Sequence, residues 1–223
     1  MTRALYFSAI LKFTAGVFLL AVLLFLPAGT TDWFGGWLLM GILFVPMFLA
    51  GLVMMAKNPD LLRSRLNAKE KEAEQGLVVK LSGLMFLVGF VLAGLDFRFG
   101  WSRLPGWVNI LGAVLFLTAY ALYAEVLREN TWLSRTIEVQ EGQTVVSTGL
   151  YGIVRHPMYA VTLVLFLSMP LVLGSIPAFV VFLAYPLIIA KRIRNEEEVL
   201  KKDLPGYAEY LEKVRWRLIP YIW

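Results

Sequence analysis

Two polar clusters in an otherwise apolar chain have residue types that can do chemistry. The first is Thr148-Gly149-Leu150-Tyr151-Gly152-Ile153-Val154-Arg155-His156-Pro157-Met158-Tyr159. Pro157 suits the first turn of a helix, where its missing N–H costs nothing. The unpaired amides of that turn, beside Arg155 and His156, form an anion site. The alternative is a basic anchor at the membrane surface, with its tyrosines in the interfacial belt. The second cluster is Lys191-Arg192-Ile193-Arg194-Asn195-Glu196-Glu197-Glu198-Val199-Leu200. On a helix, Glu196 and Glu197 share the apolar stripe of Ile189, Ile193 and Leu200, while Glu198 falls on the opposite face. Arg192 sits one turn before Glu196. Acidic groups turned inward near a membrane surface are costly and are functional candidates by default. A surface pair between Arg192 and Glu196, with flanking capping charges, is the other reading.

The rest of the chain decides what surrounds these clusters. Of its 223 residues, 59% are hydrophobic and 17% charged, with a mean hydropathy of +0.69. Soluble domains run at about 45–50% apolar and about 25% charged. A water-soluble protein of this size lacks the interior to hide so much apolar surface. The chain therefore reads as an integral membrane protein. The absence of cysteine excludes disulfides, thiolate nucleophiles and cysteine metal sites, and the single histidine excludes a multi-histidine zinc centre. No metal is expected. A net charge of +5 fits cytoplasmic loops and anionic headgroups. No basic–aromatic groove pattern points to nucleic acid.

Apolar stretches near 5–27, 33–56, 79–97 and 107–127 are each long enough to span a bilayer. The first reads as a retained helix, with a signal peptide as the alternative. The run 157–190 is too long for one span. Pro170 and Gly174-Ser175-Ile176-Pro177 divide it into two helices with a tight turn, giving about six transmembrane helices. Of the 21 Lys and Arg residues, 18 fall on one side, Arg98 and Arg103 on the other, and Lys12 within the first span. The richer side is expected to be cytoplasmic, with both termini. Alternation in Thr136–Gln140 and Gln143–Ser147 around Glu141-Gly142 predicts a small cytoplasmic hairpin. Tyr207, Tyr210, Leu211 and Val214 have helical spacing. The aromatic and basic ending Arg215–Trp223 predicts an interfacial helix serving as a lid or brace. The expected architecture is an all-α integral membrane protein in a single domain over 1–223. Residues 1–127 form a four-span scaffold, and 128–223 carry the chemistry on two spans and a cytoplasmic C-terminal helix.

The ordered set Gln143–Ser147, Thr148-Gly149-Leu150-Tyr151, Arg155-His156-Pro157-Met158-Tyr159, Glu196-Glu197 with Leu200, and Tyr207 with Tyr210 before an Arg-x-Ile-Pro-like ending resembles the isoprenylcysteine carboxyl methyltransferase and phospholipid methyltransferase superfamily. The resemblance covers roughly residues 125–223. It implies a membrane methyltransferase that uses S-adenosylmethionine outside the usual soluble fold, and no G-x-G-x-x-G fingerprint follows a strand here. It implies backbone contacts to the cofactor from Gln143, Thr144, Val145 and Val146. It implies a pocket lined by Tyr151, Arg155, His156, Pro157, Met158 and Tyr159 and closed by Glu196 or Glu197. Arg192 matches the position that meets the substrate, which the resemblance makes a lipid or lipid-like small molecule drawn from the membrane. The Arg-His-Pro-x-Tyr motif and the ending near Tyr207–Tyr221 also resemble membrane sterol reductases that use NADPH. A non-enzymatic scaffold is the third possibility.

Overall fold

The computed structural model of the chain describes residues 2–57, 62, 63, 66, 73–133 and 139–223. It is helical: α1 (Thr2–Ala28), α2 (Phe34–Lys57), α3 (Ala73–Phe99), α4 (Trp107–Glu129), α5 (Pro157–Leu173), α6 (Ile176–Phe182), α7 (Tyr185–Asp203) and α8 (Tyr207–Lys213). A short 3-10 turn covers Gly149–Gly152. Among the described residues there is no strand. Four segments within α1 to α4, and the stretch Ile176–Asp203, are long and apolar enough to cross a membrane, whereas α5 is a shorter apolar helix. The protein is a multi-pass, all-α membrane protein.

The expected divide in the long apolar run lies at Gly174. Its φ of +71° is a conformation that favours glycine. Gly174 N–H donates to the Leu171 carbonyl and Ser175 N–H to that of Pro170, each at 3.0 Å, which closes α5. Ser175 Oγ then accepts from Ala178 N–H at 3.3 Å and caps α6. The helix beyond is not continuous, as expected from hydropathy, but breaks between Phe182 and Tyr185. Pro186 in the first turn of α7 cannot donate back to the preceding turn. Of the predicted hairpin, the described residues show the turn. Gln143 N–H donates to the Gln140 carbonyl at 3.0 Å, with Gly142 at φ +74°. Residues 139–148 form no ladder; the Gln140 amide donates instead to the Gln143 side-chain carbonyl at 2.9 Å. The rest of the first arm, 136–138, lies outside the described residues.

Two compact units interleave along the sequence. The first comprises residues 1–69, 84–114 and 168–182. Its helices approach closely at glycines: a Cβ on Gly112 would meet the Val172 backbone at 2.6 Å. Beside that crossing Asn109 donates to the Val172 carbonyl at 2.8 Å. Small residues that admit backbone and polar side chains that bond across helices are the usual means of association in lipid. The second unit comprises residues 70–83, 115–167 and 183–223. It holds both polar clusters.

Candidate active site

Helix α7 sorts the second cluster. Its buried stripe is Tyr185, Ile189, Ile193 and Glu197, one residue per turn, so the carboxylate continues an apolar ridge. Glu197 is 2% exposed, Glu196 is half-buried and Glu198 is exposed, as the helical period predicts.

Pro157 opens α5. Just before it, Arg155 and His156 meet Glu197. His156 Nε2 lies 3.3 Å from Glu197 Oε1. Arg155 Nε is 2.8 Å from the same oxygen, an ion pair by distance whose direction is not that of a hydrogen bond. Arg217, from the C-terminal tail, donates from Nε to Glu197 Oε2 at 2.9 Å. One buried carboxylate thus faces two guanidiniums and an imidazole, and removal of the carboxylate would leave the guanidinium charge uncompensated.

Glu196 faces a cleft instead. Tyr159 donates its phenolic proton to Glu196 Oε2 at 2.5 Å and accepts from Arg192 Nε at 2.9 Å. Opposite charges on successive turns of α7 are therefore linked through a tyrosine of α5. The cleft is lined by Gln143, Thr144, Val145, Val146, Tyr151, Arg155, His156, Met158, Tyr159, Arg192 and Glu196. Every expected site residue except Pro157 and Glu197 is on that lining. Asn130, Trp132, Leu133, Leu200, Leu204, Tyr207 and Tyr210 complete it and were not foreseen as site residues. For Tyr207 and Tyr210 the sequence carries a signal, their helical spacing and their place in the ordered motif set. The end of α4 carries none that periodicity would reveal.

Three tyrosines pack the walls. Tyr210 donates to the Tyr151 carbonyl at 2.7 Å. The Tyr151 and Tyr207 hydroxyls are buried without a hydrogen-bond partner. Burial pushes all three phenols well above their ordinary value, helped at Tyr151 by Glu196 and at Tyr207 by Glu197 and Glu196. They remain neutral and able to donate. A buried hydroxyl left unpaired costs about 1–3 kcal/mol, so these walls suit a ligand with polar groups to offer.

The tail departs from expectation. It takes up the backbone amides of Arg155 and His156, while in the first turn of α5 the Tyr159 amide donates to the His156 carbonyl at 3.1 Å. Arg155 N–H donates to the Trp216 carbonyl at 2.8 Å and His156 N–H to that of Arg217 at 2.9 Å. The tail 214–223 is not an interfacial helix, because those carbonyls and the Arg217 side chain are engaged with distant residues.

Residues 98–202 match the model of the Isoprenylcysteine carboxyl methyltransferase (ICMT) family. That stretch, a little under half of the chain, holds most of the cleft, and the match supports a place in the isoprenylcysteine carboxyl methyltransferase superfamily. The fold is shared with the eukaryotic intramembrane Ras methyltransferase ICMT, at a TM-score of 0.52 and 16% identity over 96% of this chain and 84% of that one. Among curated proteins, the chain is 34% identical over 129 residues to the cobalt-zinc-cadmium resistance protein CzcN of Cupriavidus metallidurans, 57% of each chain. It is 32% identical over 91 residues to a Delta(14)-sterol reductase of Mus musculus, 40% of this chain and 22% of that protein. The chain thus spans less than two thirds of the length of either relative. Among the described residues no group of three or more acidic or histidine side chains is placed to hold a metal.

Proposed function

We propose that this protein is an S-adenosylmethionine-dependent methyltransferase that acts on a lipid-like acceptor at the cytoplasmic face of its membrane. The observation that carries this reading is the cleft itself. Within one lining it combines a basic pair, a carboxylate, several tyrosine rings and buried unpaired hydroxyls, and most of these residues lie inside the stretch that matches the family. The donor set fits the cofactor. Arg155 and His156 would take its carboxylate. Glu196 would accept from ribose hydroxyls or the amino group. Tyr151 and Tyr159 would offer ring faces to a sulfonium. Gln143, Thr144, Val145 and Val146 would supply backbone contacts, with Met158 shaping the wall and Pro157 opening the helix behind it. Glu197 would hold the Arg155–His156 pair from behind.

Bound there, S-adenosylmethionine supplies an electrophilic methyl group on sulfur. The protein has then to align an acceptor in line with that methyl and to keep water out. Well-oriented reactants gain about 7–11 kcal/mol in such cases. Arg192, held by Tyr159, would grip an acidic headgroup or carboxylate beside the cleft while an apolar tail stays among the helices. A carboxylate acceptor needs no general base. A phospholipid amine would have to pass its proton to a base, for which Glu196 is the carboxylate on the cleft lining.

Transfer of label from methyl-tritiated S-adenosylmethionine to an isoprenoid carboxylate, or to a phospholipid amine, tests the reading. The orientation is tested separately. Cysteines introduced at Gln75 and Gln143 should resist an impermeant reagent applied to intact cells, and efficient labelling of either would reverse the topology.

The sterol reductases among the relatives, at 27–32% identity, support a second reading in which the cleft serves NADPH. Their similarity covers 22–45% of their own length.

A further inference from the structure

Arg155 and His156 stand in the short stretch between the 3-10 turn and α5, where no regular structure fixes them. What fixes them is the tail. Besides the two amides that donate to the Trp216 and Arg217 carbonyls, Arg155 Nη1 reaches the Val214 carbonyl at 3.2 Å. The tail closes on itself, since the amides of Arg217, Leu218 and Ile219 donate to the Trp223 carbonyl at 2.9, 2.9 and 3.2 Å. The Arg217 guanidinium lies 5.4 Å from the Trp223 ring centroid and donates to Glu197 Oε2 at 2.9 Å. Arg217 is not among the cleft residues.

We propose that Arg217 is a positioning residue for the nucleoside-cofactor site. It acts through Glu197 and through the tail carbonyls to hold the Arg155 and His156 side chains on the cleft wall. The terminal torsion of a glutamate is broad and roughly two-fold, so a carboxylate held on one oxygen alone can turn. Arg217 on Oε2 fixes the plane that presents Oε1 to Arg155 and His156. With that hold removed, the pair keeps its backbone bonds but loses the orientation of its side chains. The cofactor part of this inference rests on the methyltransferase reading; the positioning part does not.

The chain contains one histidine, so its imidazole gives an unambiguous magnetic-resonance signal. In detergent-purified full-length protein labelled with 15N-histidine, Arg217→Gln should move the His156 imidazole resonances without any ligand. It should also weaken S-adenosylhomocysteine binding about tenfold or more. Arg217→Lys, which keeps the charge, should restore at least half of both effects. Unmoved resonances and unchanged affinity in the folded variant, even with a lower unfolding temperature, would overturn the proposal, as would a lysine variant no better than glutamine. Should Arg217→Gln fail to fold, Trp223→Leu removes only the ring beneath the guanidinium and is judged by the same resonances. If the unaltered protein binds no S-adenosylhomocysteine, the cofactor reading fails, and the His156 signal still decides whether Arg217 positions the pair.

Discussion

Asp96 and Glu197 are each 2% exposed, one in each compact unit, and they are satisfied in opposite ways. Asp96 takes both its bonds from Ser102, the amide at 2.6 Å and the hydroxyl at 2.7 Å, only six residues along the chain. The same hydroxyl accepts from the Ile176 amide at 3.0 Å. These donors are neutral, and the result closes the end of α3. Glu197 takes its partners from positions 155, 156 and 217, two of them guanidiniums, and Arg155 and His156 also line a cleft. An acidic residue in an apolar helix is therefore not in itself a mark of chemistry. The distinction lies in whether it ends a helix with nearby neutral donors or gathers distant cations beside a cavity.

The largest expected difference follows from removal of each carboxylate. Glu197→Ala leaves Arg155 and Arg217 without their counter-charge, and breaking a buried pair in this way costs about 3–5 kcal/mol. The variant should show the greatest loss in denaturant stability and no measurable S-adenosylhomocysteine binding. Asp96→Asn still accepts from the Ser102 amide and should lose only about 1 kcal/mol, with binding unchanged. Equal losses in the two unfolding curves would remove the distinction between the units.

Within the second unit the effects should follow the faces of α7. Glu196→Gln, Tyr159→Phe and His156→Ala each weaken a charge-assisted contact, worth about 1.5–3 kcal/mol. Calorimetry should show cofactor affinity reduced by roughly 10- to 150-fold in each. Glu198→Gln, on the exposed face, should bind as the parent does. Small, uniform changes across all three glutamates would mean a merely solvated charge run.

A finer effect is expected at Arg192. Lysine cannot reproduce the guanidinium's parallel hydrogen bonds to a carboxylate. Arg192→Lys should hold cofactor affinity within about threefold yet lower turnover on an acidic amphiphile by at least about tenfold, or 1.4 kcal/mol. Parallel binding and transfer assays separate the cases. If affinity falls with turnover, Arg192 belongs to the cofactor contacts.

The parts of this arrangement legible in the sequence are those that depend on a single helix. Glu197 continues the spacing of Ile189 and Ile193, and Glu198 does not, because α7 is regular through that stretch. Gly174 and Ser175 announce their turn by residue type. The tail was misread for the converse reason. Tyr207, Tyr210 and Val214 do bury one face, but α8 ends at Lys213. Beyond it, the backbone of Trp216 and Arg217 bonds to residues some sixty positions earlier, and no local pattern encodes such a partner. The tail carbonyls also take the Arg155 and His156 amides, a pairing that nothing in the Pro157 motif reveals. Asn130 and Trp132 reach the cleft by tertiary placement alone.

The central claim is that the cleft between α5, α7 and the Gln143–Val146 segment binds S-adenosylmethionine and not a nicotinamide dinucleotide. Calorimetric titration of the detergent-purified protein with S-adenosylhomocysteine and, separately, with NADPH tests it most directly. Saturable binding of S-adenosylhomocysteine that is lost in Glu196→Gln, with no heat from NADPH, is the predicted result. Saturable NADPH binding, lost in the same variant and without any response to S-adenosylhomocysteine, would contradict it.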